Sequence, residues 1–142
     1  MKTKVLLDTN FIMIPAKFKV DIYSELNRII LEPFELYVLD KSLIELDNII
    51  KLQKGKEREA ARLAKAILKA KIKLGKAKLI SASEVAEKPK ALKTTSMDYV
   101  DRIILGLRGF IVATNDKELR LKLKKEGVRT ILLRQRKYLV LD

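Results

Sequence analysis

Short apolar runs alternate along this chain with stretches whose apolar residues recur every three or four positions, and that alternation leaves few folds open. Val5-Leu6-Leu7 is closed at once by Asp8-Thr9-Asn10, the pattern of a buried parallel strand ending at a turn. Asp21 to Leu31 reads as a helix with Ile22, Leu26, Ile29 and Ile30 on one side and Pro33 beyond its end. Leu36 to Leu39 is a second strand, after which Asp40 or Ser42 can cap a helix that runs to about Leu52. Lys56 to Leu74 is a long amphipathic helix with Leu63, Ile67, Ala70 and Leu74 as its apolar face, stopped by Gly75. Leu79-Ile80 is a weak third strand, followed by a polar connection from Ser81 to Thr95. The remainder reads as a helix from Ser96 to Leu107, a strand from Phe110 to Ala113, a helix from Lys117 to Glu126 and a strand from Arg129 to Leu133. Strands alternating with helical stretches along the chain imply a three-layer α/β/α sandwich with a central, mainly parallel sheet. Ligands of such folds bind at the carboxyl ends of the strands.

The 142 residues, 48% of them apolar, suffice for one domain spanning 1–142 and are too few for two comfortable ones. With 31 Lys and Arg against 18 Asp and Glu, the net charge of +13 favours encounters with polyanions. Nucleic acid is the expected partner and a membrane is not. The apolar stretches fall far short of the roughly 20 residues that span a bilayer, and the amino terminus lacks a signal-peptide pattern. A cytoplasmic location is therefore expected. The absence of Cys and His removes thiolate zinc sites, the commonest metal ligand and the usual general base.

Chemistry must then come from carboxylates, hydroxyls, lysine or a bound metal. Asp8, Glu45, Asp101 and Asp116 stand at strand ends or on the helices that follow strands. Each has a local explanation as well. Asp8 can form an Asx turn, Glu45 completes a capping box with Ser42, and Asp116 can cap the helix after it. Asp101 lies beside the apolar stripe of its helix, where a carboxylate is costly without a compensating cation. Asp98, four residues before Arg102, is explained by a surface pair. Two carboxylates a few ångström apart repel by about 4 kcal/mol at an effective dielectric of 20, so a convergent group of four needs a cation among them. Oxygen ligands without His or Cys favour Mg²⁺ or Mn²⁺.

Four segments in order resemble the successive motifs of the PIN-domain nucleases: Val5 to Asn10, Ser42 to Leu46, Tyr99 to Ile104, and Ile111 to Leu119. The resemblance implies that Asp8, Glu45, Asp101 and Asp116 form the acidic metal-binding and catalytic set, with Thr9, Asn10, Thr114 and Asn115 as supporting polar groups. Thr114-Asn115-Asp116 and the basic segment Arg134 to Tyr138 look most like the branch that processes ribosomal RNA precursors. Arg102 departs from that branch, which often has a second Asp there, and leaves the number of metal ions open.

Arg58, Arg62, Lys65, Lys69, Lys73 and Lys76 recur at spacings of three or four, a stripe about 135° around the helix from Leu63 and Ile67. It reads either as a solvated face or as a track for RNA phosphates. The expected activity is metal-dependent endoribonucleolytic cleavage, with a ribosomal RNA precursor as the expected substrate. A toxin paired with an antitoxin, and a catalytically idle RNA-binding assembly factor, are the competing readings. A homodimer stays open.

Overall fold

The computed structural model describes residues 2–81, 103–104 and 107–142. In chain order the elements are β1 (Thr3–Leu7), α1 (Thr9–Ile12), α2 (Ile14–Phe18), α3 (Ile22–Ile29), β2 (Phe34–Leu39), α4 (Asp40–Leu52), α5 (Lys56–Lys73), β3 (Ala77–Ile80), β4 (Phe110–Ala113), α6 (Lys117–Lys125), β5 (Thr130–Arg134) and β6 (Tyr138–Leu141). Of the expected helix from Ser96 to Leu107, only Ile103, Ile104 and Leu107 lie within the described residues, and Ile103 and Ile104 are helical.

The strands form one sheet in the order β3-β2-β1-β4-β5-β6, parallel except for the last pair. Because side chains alternate across a strand, β1 feeds two cores. Val5 and Leu7 pack with Phe11, Ile22, Leu26, Leu46 and Leu68 on one face. Leu6 packs with Ile103, Ile104, Val112, Leu119 and Leu123 on the other. The three-layer sandwich expected from the sequence is thus present, and both faces of β1 are dry because helices cover them. After β1 the chain proceeds to β2 and β3 on one side of it, whereas β4 and β5 lie on the other. That reversal between neighbouring strands opens a crevice at their carboxyl ends, where Asp8 follows β1 and Thr114 follows β4.

Two local readings differ from the fold. α5 buries Ala61, Ala64 and Leu68, while Leu63 is 50% and Leu74 67% exposed. Small alanines let α5 lie close to its packing partners α2 and α4 while Leu68 fills the core beside them, so the buried face is turned away from Leu63 and Leu74. Thr9 and Asn10, expected to turn the chain, instead begin α1, and α2 follows it. The basic segment after β5 is a hairpin turn leading into β6, which pairs antiparallel with Ile131 opposite Leu141.

That hairpin has a three-residue loop, Gln135 to Lys137, because Arg134 pairs with Tyr138, and its first two residues are the centre of a tight turn. Lys137 N–H donates to the Arg134 carbonyl at 3.1 Å, and Gln135 and Arg136 have φ of 54° and 55°. Two positive φ values define the type I′ turn, which favours Asn-Gly. Left-handed backbone costs an L-residue about 1–2 kcal/mol, so this turn is strained.

Candidate active site

Asp8 is the first residue past β1 and only 4% exposed. Its Oδ1 accepts from the Thr9 amide at 2.8 Å and caps α1. Its Oδ2 accepts from the Thr114 hydroxyl at 2.7 Å. The Asx-type local bond expected from the sequence is therefore real, but it uses one oxygen while the other reaches across to the end of β4. Thr114 is fully buried, and its Oγ1 also accepts from the Asp116 amide at 3.1 Å. One hydroxyl thus links the two acids at the reversal point.

Asp116 caps α6, its Oδ1 accepting from the Leu119 amide at 3.1 Å. Capping and a place in the crevice coexist here. Replacement of Asp116 by Ala is expected to cost about 1 kcal/mol of stability as well as activity. Asp116→Asn should keep the cap and lose activity only, a separation that thermal melts beside cleavage assays would check.

Glu45 is delivered differently. α4 begins at Asp40, so Ser42 is inside the helix rather than its cap, and the expected capping box is absent. Ser42 is instead fully buried and accepts a 2.9 Å hydrogen bond from the Thr9 hydroxyl. That bond pins the first turn of α4 to α1, and Glu45, one turn further along, lines the cleft. Ser42→Ala would leave the Thr9 hydroxyl without this acceptor, and a loss of about 1–3 kcal/mol in denaturant unfolding is expected.

Asp8, Glu45 and Asp116 line one cleft of about 260 Å³, together with Thr9, Asn10, Lys17 and Glu57. Lys17 and Glu57 form a 3.0 Å ion pair at its rim. Neither was legible as a site residue, because their encounter depends on α2 meeting α5. Asn10 Oδ1 accepts from the Asn115 amide at 3.4 Å, and Asn115 Oδ1 accepts from the Leu133 amide at 2.8 Å. All four supporting residues thus bind the walls of the crevice to one another. Asp101 and Asp98 lie outside the described residues. Among the described residues no three acids stand close enough to form a metal-holding group by themselves. The donors lining the cleft are hard oxygens and, by their chemistry, fit a divalent ion such as Mg²⁺ or Mn²⁺.

The basic stripe is less uniform than its spacing suggests. Arg58 donates to the Gln53 carbonyl at 3.1 Å, Arg62 pairs with Glu59 at 3.6 Å, and Lys65 pairs with Asp47. The Lys65 hydrogen bond holds the Asp47 carboxyl below the usual range. Lys69 and Lys73 are exposed on α5, whereas Lys76 lies beyond the end of the helix. With Lys2, Lys71 and Lys78, Lys76 borders a basin beside Phe34 and Leu36 of β2, at the opposite end of the sheet from the acids. No helix among the described residues is long and apolar enough to cross a membrane.

A family model described as a PIN like domain matches residues 5–136. Ribonuclease VapC4 of Methanocaldococcus jannaschii is 32% identical over 141 residues, which cover 95% of this chain and 93% of that protein. The solved structure of the PIN domain endonuclease Utp24 aligns with a TM-score of 0.65 at 22% identity, covering 98% of this chain and 90% of that one. At that identity the likeness is one of fold.

Proposed function

The chain belongs to the PIN-like domain family, and from that premise we propose that it is a metal-dependent endoribonuclease. The observation that carries the reading is the meeting of Asp8, Glu45 and Asp116, from three separate segments, in one cleft at the reversal point of the sheet. Asp8, Glu45, Asp101 and Asp116 would hold one or two Mg²⁺ or Mn²⁺ ions. Such an ion supplies positive charge to the phosphate and makes water a stronger nucleophile at neutral pH. The chain's own part is to orient and to move a proton. Glu45 is either a ligand or the carboxylate that orients the attacking water and takes its proton. Thr114 fixes the Asp8 carboxylate through Oδ2, and the α6 cap fixes that of Asp116. The charge of +13 draws RNA to a cleft that is itself acidic.

Ribosomal RNA precursor is the proposed substrate. It is supported by the resemblance of Thr114-Asn115-Asp116 and of the basic segment after β5 to the processing branch. The 32% identical ribonuclease VapC4 favours a second reading, a toxin held by an antitoxin. Incubating the purified protein with labelled precursor RNA in Mn²⁺, Mg²⁺ or chelator tests the main proposal. Internal cleavage that requires the ion is expected. Cleavage indifferent to chelator would refute the mechanism, and metal-independent RNA binding without any cleavage would leave an assembly factor. Growth arrest on expression, relieved by one co-expressed small partner, would select the toxin reading.

A further inference from the structure

Among the described residues, Lys19, Gln135 and Arg136 are the three that adopt positive φ without being glycine, and the two turns that hold them touch through Arg136 and Phe18. The Arg136 guanidinium lies over the ring of Phe18, 5.4 Å from its centroid, and Phe18 ends α2 immediately before Lys19. Two strained turns therefore meet through a cation stacked on an aromatic face. We propose that this junction, formed by Arg134, Arg136 and Lys137 of the β5–β6 turn with Lys19 beside them, is a phosphate clamp. It would hold the backbone of single-stranded RNA next to the acidic cleft. The proposal rests on the ribonuclease reading for its substrate and supplies the grip that the cleft lacks.

Position is the first argument. The turn leaves the carboxyl end of β5, the same end of the sheet as Asp8 and Asp116. Asn115 ties the two places together, since its amide meets Asn10 of the cleft and its side chain holds Leu133, one residue before Arg134. Lys17, on the α2 turn that leads to Phe18 and Lys19, is itself at the cleft rim.

Chemistry is the second. Arg134, Arg136 and Lys137 are exposed, no acid lies between them, and no ion pair among the described residues engages them or Lys19. On α5, by contrast, Arg58, Arg62 and Lys65 are already occupied. A guanidinium stacked on a ring still offers its N–H edge, the edge that matches phosphate. Strain is the third argument. Asn-Gly would relax this turn, so Gln135-Arg136 keeps a strained backbone at the position from which Arg136 rests on Phe18.

The test is fluorescence anisotropy of a labelled single-stranded RNA oligonucleotide in chelator, read at several salt concentrations. Arg134→Ala/Arg136→Ala/Lys137→Ala should weaken binding about tenfold or more and flatten the salt slope by about 2, at roughly 0.7 for each of three phosphate contacts. Lys69→Ala/Lys73→Ala should change affinity much less. Gln135→Asn/Arg136→Gly separates folding from binding: it should raise the melting temperature while weakening RNA binding. The clamp is overturned if the triple variant binds as the wild type does, if the α5 variant carries the larger loss, or if the wild type binds no RNA. If hairpin-dependent binding persists but the wild type never cleaves with Mn²⁺, the clamp stands and the nuclease reading falls.

Discussion

Asp8→Asn is expected to lower RNA cleavage about a thousandfold, a barrier increase of about 4 kcal/mol, while the protein keeps its fold. The substitution is nearly isosteric. Asn retains the oxygen that accepts from Thr9 and caps α1. Its amide group then faces Thr114, whose hydroxyl oxygen can accept instead of donating to Asp8. Removing a charge that is 4% exposed also relieves desolvation. Stability should therefore change by no more than about 1–2 kcal/mol, and what is lost is the negative oxygen at the crevice. Mn²⁺-dependent cleavage of labelled RNA, measured beside circular dichroism melts of both proteins, separates the two effects. Wild-type cleavage rates in the variant would remove Asp8 from the site.

Phe11→Ala should have the largest effect on stability, about 3–5 kcal/mol for a fully buried aromatic side chain. In a chain of this size that corresponds to a melting temperature lower by roughly 10 °C. Phe11 sits on α1, between the Asp8 cap and the rest of the core on that face of the sheet. Its removal should loosen Asp8, Thr9 and Asn10 together, so activity near the new melting point should fall faster than that of wild type at its own. Leu63→Ala is the contrasting control. Its apolar spacing makes it look like core, yet Leu63 is half exposed, and a change of less than about 1 kcal/mol is expected. Equal losses from the two variants would mean that the burial described for α5 is wrong.

The elements differ in how much of them the sequence reveals. β1, β2 and β4 were legible because each contains a short apolar run bounded by turn signals, which suits a parallel strand covered on both faces. β6 was not. It follows a turn whose residues, Gln135 and Arg136, are poor formers of the turn they make, and the usual hairpin signal is missing. α1 and α2 were hidden by their brevity and by Pro15, which falls within the first turn of α2, where it is tolerated. On α5 the buried face, Ala61, Ala64 and Leu68, is rotated from the one that the spacing of Leu63, Ile67 and Leu74 marks. Leucine marks a core face by pattern, but alanine buries wherever two helices must approach closely.

At the site the same division holds. Acids that follow apolar runs announce a strand-end cleft, and Asp8 and Asp116 are placed there by their neighbours in sequence. Ser42 shows the limit: as a helix cap and as a buried partner of Thr9 it has the same local sequence, and only the meeting of α1 with α4 decides between them. Sequence alone determined the layering of the domain and the ends of the strands on which negative charge collects, because burial repeats along the backbone with a period that local composition records. The tertiary structure decided that Glu45 shares a cleft with Asp8 and Asp116, that Lys17 and Glu57 close its rim, and which face of α5 is dry. Those outcomes depend on the crossovers and the close approach of helices, which bring distant side chains within a few ångström and leave no trace in the spacing of either partner.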